Sequence, residues 1–123
     1  IYRGSMTGSY ATIRRRKGSA VPVVVWSIME NDEKSLDIYE GYPRFYFKQN
    51  VMVDLPSGKK KAMVYIMDLK RKPGRPNQRY VESIRAGYIS NDLDILYLER
   101  SLALNSQECK KETFCKTSPF LDK

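Results

Sequence analysis

Histidine is missing altogether from the 123 residues. Its absence removes Ser-His-Asp and Cys-His catalysis, histidine general bases and His-ligated metal sites. Cysteine is scarce: Cys109 and Cys115 both stand in the polar C-terminal stretch. They build no disulfide framework for a domain, which favours a cytoplasmic protein, and two thiols without a histidine make a poor zinc site. Long apolar runs are lacking too. None reaches the roughly eighteen residues that a membrane-spanning helix needs. The longest, Val21 to Met29, is interrupted by Pro22 and Ser27. The opening residues Ile1-Tyr2-Arg3-Gly4-Ser5 carry no charged-then-apolar secretory pattern. Any catalysis must therefore rest on a carboxylate, a lysine, a tyrosine, or a cysteine acting without histidine.

What is present fits one domain. A hydrophobic fraction of 41% is ordinary for a globular chain, and the length suits a single core. The net charge of +8 comes from 22 basic against 14 acidic residues, a balance that can signal a nucleic-acid partner. The basic residues cluster, however, in Arg14-Arg15-Arg16-Lys17, Lys59-Lys60-Lys61 and Lys70-Arg71-Lys72, each beside turn residues such as Gly18, Gly58 or Pro73-Gly74. They lack a helical stripe or interleaved aromatic platform, so solvated turns are expected rather than a nucleic-acid footprint. A positive field of this kind still attracts small anionic substrates.

Along the chain, Gly8 to Ile13 predicts a short strand, and Ala20 to Met29 a β-branched, fully buried one. Asn31-Asp32 offers a helix N-cap, and the helix is expected to run to Glu40 and stop at Gly41, with Pro43 just beyond. Phe45 to Leu55 reads as a long strand that turns at Pro56-Ser57-Gly58-Lys59 and returns through Ala62 to Met67 as a hairpin. Asn77 caps a second helix with Gly87 as its stop, and Asn91-Asp92 begins a third running to about Leu104. The chain divides into a domain over residues 1–104 and a polar, loosely ordered tail over 105–123. The class is α+β.

The informative segment is Leu36-Asp37-Ile38-Tyr39-Glu40-Gly41. Glu40 lies one turn beyond Leu36, an expected core contact, so it is aimed partly inward. Desolvation and the negative end of the helix dipole both push its pKa upward, toward values useful for proton transfer near neutral pH. Tyr39, Tyr42, Phe45 and Tyr46 surround it and could wall a pocket for a small polar ligand.

At this point the chain resembles a known family. Val24-Val25-Trp26, then Leu36-Asp37-x-Tyr39-Glu40-Gly41, then Tyr46, look like gamma-glutamylcyclotransferases of the AIG2-like group. Gly8-x-x-Ala11-Thr12-Ile13, Tyr65-Ile66-Met67, and Tyr80 followed by Gly87 continue the likeness in order, over roughly Tyr2 to Leu104. The resemblance implies a small mixed β-barrel with flanking helices. It implies a gamma-glutamyl substrate, cyclised to 5-oxoproline with release of an amine or amino acid. It makes Glu40 the general acid/base and places Tyr46 and Tyr80 in the substrate pocket, with no metal or organic cofactor.

One departure stands out. The family's Tyr-Gly-Ser-Asn loop lies upstream of Gly-x-x-Ala-Thr, and this sequence starts after it; Gly4-Ser5 does not replace it, because no hydrophobic strand precedes it. The alternative expectation is therefore a catalytically silent small-molecule or nucleic-acid binding module on the same scaffold.

Overall fold

The computed structural model describes residues 1–5 and 8–117. In chain order the elements are β1 (Tyr2–Ser5), β2 (Gly8–Ala11), α1 (Glu30–Glu40), β3 (Tyr46–Leu55), β4 (Gly58–Met67), α2 (Gln78–Ser90) and α3 (Ile95–Thr117). The mixture of three helices and two antiparallel sheets is α+β, as expected. The barrel is not: among the described residues the strands form two separate two-stranded sheets, β1–β2 and β3–β4, and no barrel closes. One expected strand is missing. Ala20 to Met29, expected as a buried strand, forms no ladder, and its side chains are largely exposed, Trp26 at 73%. A β-branched run records affinity for a sheet but cannot supply the neighbouring edge that would pair with it. Pro22 also lacks the N–H a ladder requires.

By contacts the chain divides into two units, one formed by residues 1–23 with those from 69 onward, the other by residues 24–68. In the second unit, β3 and β4 pair from Tyr46↔Met67 to Leu55↔Gly58, leaving Pro56-Ser57 as a two-residue loop. Gly58 has φ +122°, a conformation that side chains oppose. Val51, Val53 and Leu55 are half-buried while Met52 and Asp54 are exposed, the alternation expected of a strand with one covered face. At the other end of the ladder Lys48 lies directly opposite Tyr65, so both side chains leave the same face of the hairpin.

Helix α1 starts at Glu30, ahead of the expected Asn31-Asp32 cap. Asp32 instead reaches back, its carboxylate accepting the Met29 N–H at 3.0 Å, the returning half of a capping box. The helix ends as expected at Gly41, whose φ is +65°. The Gly41 N–H reaches the Ile38 carbonyl at 3.2 Å and the Tyr42 N–H reaches the Asp37 carbonyl at 2.9 Å. These two bonds make a Schellman ending, which needs a left-handed residue at Gly41.

In the first unit, β1 and β2 pair from Tyr2↔Ala11 to Ser5↔Gly8. Asn77 caps α2 as expected, its side chain accepting the Tyr80 N–H at 2.8 Å. Gly87 does not stop the helix, which continues to Ser90. Asn91 then ends it, with both backbone and side-chain N–H donors on the Gly87 carbonyl. Asn91 is thus a C-terminal cap rather than the start of α3. Asp94 takes the starting role, its carboxylate accepting the Leu96 N–H at 3.0 Å. Arg85 of α2 pairs with Glu99 of α3.

Helix α3 does not end near Leu104 but runs on to Thr117. Its continuation is anchored by residues that a polar tail would have left in water. Asn105 is only 2% exposed. Its Oδ1 accepts the Tyr2 N–H at 3.1 Å and its Nδ2 donates to the Gly74 carbonyl at 2.8 Å. Glu108 pairs with Arg3 at 3.1 Å and with Arg14, and Cys109 is a buried free thiol. The end of the expected tail, residues 118–123, lies outside the described residues.

Asn105→Ala is expected to destabilise the protein by about 2 kcal/mol, because it strips a partner from the buried Tyr2 amide and from the Gly74 carbonyl. Urea unfolding of wild type and variant checks this. A shift of less than about 0.5 kcal/mol would mean that water satisfies both groups.

Candidate functional site

Glu40 is the last residue of α1 and is half-buried. Burial holds its carboxyl above the ordinary glutamate value, the direction expected from the sequence. Its setting differs in detail. Leu36, expected as a core contact, is 37% exposed, and Tyr39 is 84% exposed rather than part of a wall. Tyr46, five residues past the Gly41 turn, opens β3; it is buried and its ring meets Phe45 edge-on at 5.0 Å. Glu40 and Tyr46 therefore share the 24–68 unit, joined by the short turn between α1 and β3. Tyr80 belongs to the other unit. Its hydroxyl oxygen accepts the Ala11 N–H at 3.0 Å, and its ring meets Tyr10 edge-on at 5.3 Å.

Beside Glu40 the structure assembles a polar cluster that the sequence reading did not single out. Glu33, Asp37 and Glu40 recur at i, i+4 and i+7, one stripe along α1. The Lys48 ammonium enters this stripe from β3. It lies 2.6 Å from Glu33 Oε2, 2.9 Å from Asp37 Oδ1 and 3.0 Å from Asp37 Oδ2. The Tyr65 hydroxyl, from β4, donates to Asp37 Oδ1. The Tyr42 ring lies under Lys48, with its centroid at 4.4 Å, a cation–π contact.

Electrostatics follow the contacts. Hydrogen bonds from Tyr65 and then Lys48 hold the Asp37 carboxyl below its ordinary value. Hydrogen bonding to Glu33 and Asp37 holds the Lys48 ammonium well above the lysine range. Burial, with the Asp37 carboxylate as acceptor, pushes the Tyr65 phenol up to about 12. The available signal was the acidic i, i+4 pair followed by a strand with a single lysine, Lys48. Only the hairpin register, which sets Lys48 opposite Tyr65, turns that signal into a site.

The first unit holds a pocket of about 270 Å³, lined by residues that include Ile13, Val21, Ile84, Tyr88, Leu98 and Ser101. Glu40, Tyr46 and Tyr80 do not line it. The basic runs fall in irregular chain after β2, at the start of β4, and ahead of α2. Arg14 pairs with Glu108, and Lys59 lies 3.8 Å from Asp54. Among the described residues no group of three or more His, Cys, Asp or Glu side chains is arranged to hold a metal ion. Among them too, no helix is long and apolar enough to cross a membrane.

Residues 1–85 match the family model described as gamma-glutamyl cyclotransferase, AIG2-like. The chain belongs to that family. The matched span includes Glu40, Tyr46 and Tyr80 together with the whole α1–β3–β4 unit, and it ends inside α2. Membership supports a gamma-glutamyl cyclotransferase-like function at the level of the family. No curated protein and no solved structure matches the chain.

The raised Glu40 pKa has a stability consequence. The folded value lies above the unfolded value of 4.5. Folding therefore favours the protonated form, and this contribution is full below the unfolded value and lost as pH rises through the folded one. Glu40→Gln removes the ionisation and the unfavourable charge at the helix C-terminus. It is expected to be more stable than wild type at about pH 7, with the gap closing by about pH 4. Urea midpoints at both pH values check the sign, and a lower midpoint for the variant near neutrality would refute it.

Proposed function

We propose that the protein is a gamma-glutamyl cyclotransferase with Glu40 as its general acid/base. The observation that carries this is a half-buried carboxylate at the end of α1, raised above the ordinary glutamate range, in a chain that belongs to the AIG2-like family. The α-amine of a gamma-glutamyl group attacks its own γ-carbonyl. A five-membered lactam forms, the bond from the γ-carbon to the departing nitrogen breaks, and 5-oxoproline leaves with an amine or amino acid. Glu40 takes the proton that the attacking amine loses and returns it to the leaving nitrogen, so one carboxylate serves both halves.

The chemistry suits a chain without histidine. Ring closure is intramolecular, and well-oriented reactions of this kind reach effective molarities on the order of 10⁵ M or more. Proton transfer by one placed carboxylate adds about 10²–10⁴-fold. A carboxylate whose pKa is raised toward neutrality does this better than an ordinary one. The net charge of +8 favours an anionic substrate. In this reading Tyr46 and Tyr80 are substrate-binding residues.

The test is 5-oxoproline release from gamma-glutamyl substrates by the full-length protein and two variants. Glu40→Gln is expected to lower turnover at least about a hundredfold with folding intact. Tyr80→Phe is expected to be milder and to act mainly on KM. Wild-type turnover in Glu40→Gln would remove Glu40 from the mechanism.

A further inference from the structure

We infer that Lys48, acting through Asp37 and Tyr65, is a positioning residue that sets the direction of Glu40; this rests on the reading of Glu40 as the acid/base. The starting point is how α1 meets the hairpin. No residue of α1 is buried, so no apolar stripe fixes the rotation of the helix about its axis. Directional polar bonds are left to do it. Lys48 touches Glu33 and Asp37 on successive turns of one stripe, at 2.6 and 2.9 Å. Two contacts one turn apart define both where the helix lies and which way it faces. Glu40 is the next position on that stripe.

Asp37 then links this grip to the helix end. Its carboxylate receives Lys48 and Tyr65, while its carbonyl receives the Tyr42 N–H at 2.9 Å. Tyr42 in turn lies against the same ammonium, 4.4 Å from its ring centroid. The residue three positions before Glu40 and the residue two positions after it are thus tied to one cation. Hairpin register supplies the opposing support, because Lys48 and Tyr65 are direct cross-strand partners. Without the cation, Glu33 and Asp37 would repel each other along the stripe, and the last turn of α1 would lose its fixed orientation.

Misplacing a reacting group by about 1 Å can cost about a hundredfold in rate. Lys48→Met is therefore expected to lower kcat by about 10–100-fold while KM stays within about threefold. Lys48→Arg, which keeps the charge and can span two carboxylates, should recover most of the loss. Tyr65→Phe, which removes only the hydroxyl on Asp37, should fall between and serves if Lys48→Met folds poorly. Lys59→Met, an equal charge change at an exposed site near the hairpin loop, should leave kcat unchanged. A second readout needs no substrate. Amide exchange at Tyr42 and Phe45, whose N–H groups bond the Asp37 and Gly41 carbonyls, should quicken at least about tenfold in Lys48→Met relative to amides of the β3–β4 ladder. Unchanged exchange at both amides overturns the inference, as does wild-type kcat in Lys48→Met or an equal loss in Lys59→Met. If wild type itself releases no 5-oxoproline, the cyclotransferase reading fails, and the exchange measurement alone still decides whether Lys48 fixes the end of α1.

Discussion

A single ammonium group between two carboxylates holds the arrangement of the α1–β3–β4 unit. Lys48 alone would be an ordinary strand lysine, and an isolated ion pair at this exposure contributes little. Here the cation meets Glu33, both oxygens of Asp37 and the face of Tyr42, while Tyr65 completes Asp37. A network of this kind restricts geometry more than it adds stability, since each member limits the rotamers of the others. The hairpin provides the rigid side of the contact. Its ladder runs unbroken over ten pairs and ends in a two-residue loop, so Lys48 and Tyr65 cannot slip relative to each other without flipping every side chain to the other face.

The other unit uses the same device with a neutral side chain. Among its described residues the buried apolar ones are few, Tyr2 and Leu98 among them, and strand β1 is only four residues long. Asn105 compensates by joining three chain segments that are far apart in sequence: β1 through the Tyr2 amide, the segment before α2 through the Gly74 carbonyl, and α3, which carries it. Buried polar groups that are fully bonded specify one arrangement where a thin apolar core would tolerate several. Arg3 adds a second tie between β1 and α3 through Glu108.

This division explains what could be read from the sequence. Features governed by a few adjacent residues were legible: Gly41 as a left-handed helix end, Asn77 as a cap, and the hairpin around Pro56-Ser57. Each depends on local backbone chemistry that the residue type itself dictates. Features that depend on a distant partner were not. Residues Ala20 to Met29 have the composition of a buried strand, yet no described strand pairs with them. Gly87 does not end α2, because no left-handed turn follows it, and Asn91 supplies the ending four residues later. Asn105 was misread because polarity marks a tail only when nothing bonds the side chain. At the candidate site, the upward direction of the Glu40 pKa was legible, but the cluster one turn before it needed the register of two strands.

The two carboxylates of the last helical turn complete the argument. Asp37 and Glu40 are three residues apart on one helix, yet their environments push them in opposite directions. Asp37 is held low by a phenol and an ammonium that both donate to it. Glu40 is held high by burial. Such splitting is how a protein assigns different tasks to chemically similar groups. A carboxylate stabilised as an anion makes a fixed electrostatic anchor and a poor proton carrier. One whose charge is disfavoured gives and takes a proton more readily near neutral pH. Residue identity does not distinguish them; the donors brought by β3 and β4 do. The hairpin register, which sets Lys48 opposite Tyr65, therefore fixes Asp37 as the anion of the pair, while burial leaves Glu40 as the acid whose charge is disfavoured.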